Sequence, residues 1–291
     1  MQKPDVRGFF DPDTATWTYV VYDGTGADKR CAIIDSVLDY DMASGRTKTR
    51  SADRVIDFVA AKELEVQWLL ETHIHADHLT GADYIRSKLG GTIAISKHIL
   101  RVLETWAPIF HNEADTPPDG QQFDYLFADD ETFKVGPFDA RIIHTPGHTP
   151  ADTTYIIGDA VFVGDAMFLP DVGTGRCDFP GGSAGDSYES SRKLLGLKDN
   201  MRMYVGHDYP PEGAGRVPQC MATIAEQKAA NIRVKDGISK EVYVAKRNAD
   251  DKGKAVPRLL LPSIQVNLRA GGFGKATKGV RYIKIPVDVI G

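Results

Sequence analysis

Only three cysteines occur among the 291 residues, Cys31, Cys177 and Cys220, and no two lie close enough for a Cys-x-x-Cys pair. That excludes a disulfide framework and a zinc knuckle, and it suits a reducing, cytoplasmic compartment. No apolar run approaches the ~20 residues that a membrane span needs. The start, Met1-Gln2-Lys3-Pro4-Asp5, leads into polar residues, so neither a secretory signal nor a transit peptide is expected. A basic excess is missing too: 35 Lys+Arg against 40 Asp+Glu give a net charge of −5. That balance argues against a nucleic-acid partner. What remains is ordinary globular composition, 42% hydrophobic and 26% charged, which excludes a disordered tail, a collagen and a coiled coil. At roughly 150 residues per domain the length allows one large domain or two small ones. A homo-oligomer is left open.

Strand signals come first. Thr16–Tyr22 is β-branched and aromatic, Asp23-Gly24 reads as a turn, and Cys31–Val37 answers as a second strand. Ser51–Leu64 has helical spacing, with Ser51 as its cap. Val66–Leu70 is a short run, apolar but for Gln67, the pattern of a strand buried on both faces. A helix from Leu79 to Gly90, a strand over Thr92–Ser96 and a helix over Lys97–Trp106 follow. Residues 107–121 read as a loop. Further strands are expected around Phe123–Phe127, Phe133–Val135, Ala140–Ile143, Thr153–Ile157, Val161–Val163 and Met203–Val205. Between the last two lies a long Gly/Pro/Asp-rich loop, Leu169–Gly185, of a kind that usually has a function. Asp186 with Glu189 predicts a capping box for a helix to Leu195. Pro218–Val234 predicts a helix, and the tail shows strand-like pieces at Leu259–Leu261, Ile264–Leu268 and Tyr282–Val287. This order suits an α/β chain in which two mixed sheets pack together with helices outside. It is read as one domain, residues 1–291, with 210–291 as a C-terminal extension packed on it.

The strongest chemical signal is His73-x-His75-x-Asp77-His78 at a predicted strand end. It holds three of the eight histidines and four ligand-type side chains within six residues. Imidazole suits zinc, iron, copper and nickel, and a carboxylate adds a hard oxygen. Thr145-Pro146-Gly147-His148, Val163-Gly164-Asp165 and Gly206-His207-Asp208-Tyr209 are weaker signals of the same kind. Alone, each reads as an ordinary turn. Together they are four strand-end loops, each delivering a metal-ligand type, and loops on one edge of a sheet are where sites are built.

In this order and with these gaps, the four motifs resemble the metallo-β-lactamase superfamily over roughly residues 15–210. The resemblance implies an αββα sandwich with a metal site at one edge. In the superfamily's general pattern His73, His75 and His148 would take one metal. Asp77, His78 and His207 would take a second, with Asp165 between. The run from Asp165 to Gly182, above all Gly175-Arg176-Cys177-Asp178-Phe179, is similar to the loop of persulfide dioxygenases. Its ending, Phe179-Pro180-Gly181-Gly182, looks like the bacterial β-lactamase-hydrolase-like branch. That likeness implies one Fe(II) per chain on His73, His148 and Asp165, leaving His75, Asp77, His78 and His207 around the iron or in a vacant second site. It also implies glutathione persulfide and O2 as substrates, with sulfite and glutathione as products.

Two histidines and a carboxylate form the facial triad of non-haem iron oxygenases, which leaves coordination positions open. Zinc has no redox chemistry, so the metal decides between oxidation and hydrolysis. All seven ligands of the two-metal pattern are present, which keeps a two-zinc hydrolase, such as a glyoxalase II-like thioesterase, as the alternative. A non-catalytic binding module is disfavoured by the intact ligand set. Arg176 is the candidate for holding an anionic substrate or orienting the long loop, against a plain salt bridge to Asp178. Tyr209 is the candidate hydrogen-bond donor in catalysis, against a packed tyrosine. Cys177 reads as redox-active or as a small buried hydrophobe. The cations Arg269, Lys275, Lys278, Arg281 and Lys284 would steer anions or form a solvated face. Gly271-Gly272-Phe273-Gly274-Lys275 fits no nucleotide-binding spacing.

Overall fold

The computed structural model of the chain describes residues 2–289. In chain order the elements are β1 (Asp5–Asp11), β2 (Thr16–Tyr22), β3 (Arg30–Ile34), β4 (Val37–Asp41), β5 (Arg46–Lys48), α1 (Arg50–Ala61), β6 (Glu65–Leu70), β7 (Leu79–Thr80) and α2 (Ala82–Leu89). Next come β8 (Thr92–Ser96), α3 (Ile99–Trp106), β9 (Tyr125–Phe127), β10 (Thr132–Val135), β11 (Phe138–His144), β12 (Thr153–Ile157), β13 (Ala160–Phe162), α4 (Ala184–Leu195) and β14 (Arg202–Tyr204). The extension adds β15 (Met221–Thr223), α5 (Ile224–Ala230), α6 (Lys240–Asp251) and α7 (Leu260–Asn267).

Two six-stranded sheets result, ordered β1-β2-β3-β6-β8-β9 and β10-β11-β12-β13-β14-β15, with a small β5-β4-β7 ribbon beside them. Strand periodicity explains the layering. In β3, Cys31 and Ile33 face the helices α1 to α3, while Ala32 and Ile34 face the other sheet. The inner core joins Tyr19, Leu70 and Phe127 of the first sheet to Ile142, Tyr155 and Phe162 of the second. The second sheet's outer face packs under α4 and α6 through Val161, Leu194 and Tyr243. The αββα sandwich is therefore the observed fold. Among the described residues no helix is long and apolar enough to cross a membrane.

Several expectations are corrected. Cys31–Val37 is not one strand: Asp35, at φ 51°, turns the chain between β3 and β4. The cap of α1 is Thr49, because Ser51 Oγ is engaged with Asp11 and Asp39. The helix expected from Leu79 begins at Ala82, since Leu79–Thr80 pairs with β4. The cap of α4 is Ser183, which accepts from the Asp186 N–H. The helix expected over Pro218–Val234 shrinks to α5, where Thr223 and Glu226 form a reciprocal capping box after β15. The strand-like pieces at 259–268 are α7. Every residue of α7 except Leu261 is buried, so its sequence carries no amphipathic stripe to show a helical period. Tyr282–Val287 forms no strand; Gln265 holds it through both backbone groups of Lys284. Strands β1, β4 and β5 and helix α6 were not expected at all.

The extension shares the main core. Leu260, Ile264 and Leu268 pack with the helices over the first sheet. Ile264→Ala should therefore lower stability by about 2–5 kcal/mol, the usual loss for emptying a core site. The measurement is the denaturant midpoint at unchanged slope. A shift no larger than that of an exposed substitution would separate the extension from the core.

Candidate metal centre

Strand direction brings the four motifs together. Antiparallel β12 separates β11 from β13, so β11 and β13 run the same way, and β14 is parallel to β13. Their following loops, carrying His148, Asp165 and His207, thus leave from one edge. The end of β6 in the opposite sheet delivers His73, His75, Asp77 and His78 to the same place. Close approach is needed there. Gly164, at φ 51°, lies against Thr72, and a Cβ on it would collide with the Thr72 hydroxyl.

The ligand atoms fall into two adjoining sets, each within 4.8 Å: His73, His148 and Asp165 in one, His75, Asp77, His78 and His207 in the other. Asp165 lies between them. Its Oδ2 is 3.6 Å from His148 Nε2 and its Oδ1 is 3.4 Å from His207 Nε2. His207 Nε2 is also 3.4 Å from Asp77 Oδ2.

The surrounding protein engages one nitrogen of each histidine. Thr72 Oγ1 donates to Asp35, so it accepts from His73 Nδ1 at 3.0 Å. His75 Nε2 donates to Asp35 Oδ1 at 3.1 Å. His78 Nδ1 donates to the Leu79 carbonyl at 3.2 Å, and His148 Nδ1 to the Arg176 carbonyl at 2.7 Å. His207 Nδ1 is 3.3 Å from Thr16 Oγ1. Among the described residues the opposite nitrogens of His73, His75, His78 and His207 are buried without a hydrogen-bond partner, as are Asp77 Oδ2 and Asp165 Oδ1. Buried polar atoms are normally satisfied. Six orphans converging on one edge fit a metal ion, and the held nitrogens are the arrangement that fixes ligand tautomers.

Charges around the site follow from burial and from the carboxylates. Burial, aided by neighbouring imidazoles, drives His73 well below its usual range, and burial takes His78 down to about 4. Burial also works against a charge on His75, but Asp35 and Glu71 outweigh it and raise its pKa. His207 is likewise raised, because Asp165 and Asp77 overcome its burial. Behind His75, burial pushes Glu71 up. Asp35 is held low because His75 and Thr72 outweigh the same desolvation.

A cavity of about 370 Å³ opens beside the first set, lined by His148, Asp165, Phe168, Phe179 and Tyr209 and by the cations Arg176, Arg233, Arg247 and Lys254. The expected substrate cation Arg176 faces this cavity, and its own donors go to protein: Asp178 in a bidentate pair and the Ala255 carbonyl. Tyr209 is half exposed and stacks on His207 with ring centres 5.7 Å apart. Cys177 is buried, its thiol pushed up to about 12 by that burial, which makes it a small core residue. The tail cations Arg269, Lys275 and Lys284 reach Thr116, Asp115 and His111, away from the cavity.

Sequence reasoning missed Asp35, Glu71 and Asn267. Asn267 Nδ2 donates to the carbonyls of His75 and His78, and its Oδ1 accepts from the Thr80 N–H. Nothing nearby in sequence links a residue of the extension to the first motif. Asp35 had a readable signal, a carboxylate ending an apolar strand.

The fold and this site define the class: the chain belongs to the metallo-beta-lactamase superfamily, whose profile matches residues 11–207. A probable metallo-hydrolase of Burkholderia pseudomallei is 46% identical over 98% of this chain and 99% of that protein. A beta-lactamase hydrolase-like protein of Xylella fastidiosa is 44% identical over 100% of this chain and 66% of its own. The mitochondrial persulfide dioxygenase ETHE1 of Bos taurus is 27% identical over 91% of this chain and 88% of that protein. The crystal structure of ETHE1 from Myxococcus xanthus superposes with a TM-score of 0.73 at 27% identity, covering 92% of this chain and all of that one.

Metal bound only by the folded protein adds to stability. Removing it from the purified protein with a chelator should lower the thermal midpoint, and Asp165→Ala, lacking the shared carboxylate, should show little further drop. Equal chelator shifts in both proteins would place the stabilising ion elsewhere.

Proposed function

We propose that the chain is an Fe(II)-dependent persulfide dioxygenase that converts glutathione persulfide, O2 and water to sulfite and glutathione. The observation that carries this reading is the set His73, His148 and Asp165, two imidazoles and one carboxylate gathered within 4.8 Å at the mouth of a cavity. That is the donor set of the non-haem iron oxygenases. The kinship with proteins named persulfide dioxygenase supports it at lower identity. Iron, when bound there, would supply the redox chemistry that O2 needs and that zinc lacks.

In the overall change the sulfur–sulfur bond breaks, the outer sulfur is oxidised by O2 and leaves as sulfite, and the inner sulfur leaves as the thiol. The chain's own residues orient and enclose. Thr72 and the Arg176 carbonyl aim the bare nitrogens of His73 and His148 inward. Phe168 and Phe179 give the cavity an apolar wall beside the metal ligands. Arg176 holds the 175–179 loop to the extension beside the substrate. Tyr209 is assigned the hydrogen-bond donor at the cavity wall. The reading places the enzyme in the cytoplasm, where its three unpaired cysteines stay reduced.

A second reading, the two-zinc hydrolase, is favoured by the complete set His75, Asp77, His78 and His207 and by the Burkholderia relative's name. Elemental analysis of protein purified without chelators separates the two. About one iron per chain is expected from one facial triad, against about two zinc for the hydrolase. His148→Ala and Asp165→Ala should each abolish iron binding, whereas His207→Ala should leave most of it. Equal loss in His207→Ala would overturn the one-metal assignment.

The activity itself is read with an oxygen electrode and sulfite detection. Iron-loaded protein should take up O2 with glutathione persulfide and hydrolyse S-lactoylglutathione poorly. Absent O2 uptake by that protein would defeat the dioxygenase.

A further inference from the structure

The tail cations lie away from the metal centre, yet three of them meet around a hollow of their own. A second cavity, of about 440 Å³, has Arg269, Lys275 and Lys284 in its wall, together with Asp115 and the rings of Phe273 and Tyr282. It shares no lining residue with the cavity beside His148 and Asp165. One wall comes from the loop between α3 and β9, the other from the chain that follows α7. Buried Gln265 of α7 ties the two together. Its side chain exchanges hydrogen bonds with both backbone groups of Lys284, and it accepts from Asn112 Nδ2 at 3.4 Å.

Arg269 is unlike the other arginines. Every other arginine that is buried or half-buried among the described residues has a carboxylate within ion-pair distance, as Arg247 has Asp251 and Arg202 has Asp159. Arg269 is half-buried and has none among them. Its Nε donates to Thr116 Oγ1 at 2.9 Å, and neither Nη group has a partner among the described residues. Burial lowers its pKa, and the more distant Asp115 opposes this only in part. In Arg86 and Arg202 burial acts the same way, but their carboxylate partners outweigh it. The backbone is fitted to the side chain. Gly274, at φ 73°, crosses the guanidinium, and a Cβ there would lie 3.2 Å from Arg269 Cζ. The two lysines also keep donors in reserve, since an ammonium has three. Lys275 Nζ is 3.8 Å from Asp115 Oδ1, and Lys284 Nζ donates to the His111 carbonyl at 2.6 Å. Three cations thus face one carboxylate, an excess of two positive charges. Withdrawing a charge from water without a counter-charge is unfavourable, and an anion in the hollow would relieve it.

We propose that this hollow binds a phosphorylated small molecule, its phosphate held by Arg269, Lys275 and Lys284 and its organic part lying against Phe273 and Tyr282. The inference is independent of the proposed function, because no residue of the metal edge takes part. A phosphate monoester carries about −1.5 to −2 charges at neutral pH, which matches the excess, whereas a carboxylate matches half of it. A guanidinium fork gives parallel hydrogen bonds to two phosphate oxygens, and ammonium groups add charge without fixing direction. The volume leaves room beyond the phosphate, and aromatic walls suit an apolar or planar remainder. The charges line a concavity, which fits a small molecule better than a duplex, and the chain's net charge of −5 disfavours the duplex as well.

The probes are phenyl phosphate and benzoate, each an aromatic ring with an anionic group, titrated by calorimetry into the metal-loaded, full-length protein. Wild type should bind phenyl phosphate at a single site and about tenfold or more tightly than benzoate, the size of one charge-assisted hydrogen bond. Arg269→Gln should weaken phenyl phosphate by about ten- to a hundredfold, with metal content unchanged. Arg269→Lys, which keeps the charge and loses the fork, should recover part of that loss. Lys284→Gln should weaken binding by a smaller factor, and it keeps the experiment decisive if Arg269→Gln fails to fold. Asp165→Ala should bind phenyl phosphate as wild type does. No saturable binding by wild type at millimolar concentration, benzoate bound as tightly as phenyl phosphate, or unchanged affinity in Lys284→Gln would each overturn the proposal. Binding lost in Asp165→Ala but kept in Lys284→Gln would put the phosphate at the metal centre and overturn it too.

Discussion

Six buried ligand atoms without hydrogen-bond partners, gathered at one edge of a sandwich, are the constraint on which the rest depends. Each unpaired buried polar atom costs roughly 1–3 kcal/mol. A chain does not collect six of them at one point unless something arriving from solution satisfies them. The rest of the local structure keeps them unpaired. Each histidine has its opposite nitrogen occupied by a hydroxyl, a carboxylate or a carbonyl, so the rings cannot turn to satisfy themselves. The strand directions, the missing Cβ at Gly164 and the Asp35 turn after β3 all follow from holding four loops this close.

The extension belongs to that arrangement. Asn267 bridges the two carbonyls of the first motif and the Thr80 N–H from the far end of the chain. The buried pair Arg247–Asp251 grips the loop after Asp165 through the Thr174 carbonyl and the Cys177 N–H. Burying such a pair is costly in itself, and removing one partner would be worse. Its use is positional: it fixes the carbonyl of Arg176 that orients His148. A ligand in the first set is thus oriented by a loop that a helix outside the family's common portion holds down.

How much of this could be read from the sequence depends on the range of each signal. His73 to His78 announces itself by density, and the ends of β11, β13 and β14 announce theirs by Gly and Pro beside a ligand type. Strand β3 shows as an apolar run because both of its faces are buried, and β6 shows through its buried positions Val66, Leu69 and Leu70. Helix α7 was misread for the same physical reason: burial on all sides removes the period that distinguishes helix from strand. Arg176 was expected to hold an anionic substrate or to orient the long loop; its engagement with the Ala255 carbonyl, 79 residues away, could not be read from the sequence. Arg233 and Lys254 were invisible, since their place in the cavity wall depends on how the extension packs. Asn267 could not be found at all, because its partners lie 187 to 192 residues away.

Charge also bears on how many ions the edge can hold. Asp77 and Asp165 are the two carboxylates among the seven ligands, so one divalent ion balances them: +2 − 2 = 0. A second divalent ion leaves +4 − 2 = +2 in a buried place unless anions accompany it, and uncompensated buried charge is expensive. His75 adds to the difference. Asp35 and Glu71 crowd its Nε2, at 3.1 and 3.4 Å, and favour its protonated form. With one proton on Nε2 toward Asp35, His75 offers Nδ1 to a cation; where the ring is doubly protonated, binding there releases the Nδ1 proton, so occupation of this set depends on pH. In the first set His73 is already neutral through burial, and His148 has its other nitrogen fixed by a carbonyl. Each set thus holds its imidazoles through a protein partner on the opposite nitrogen, and Asp165 lies between the two.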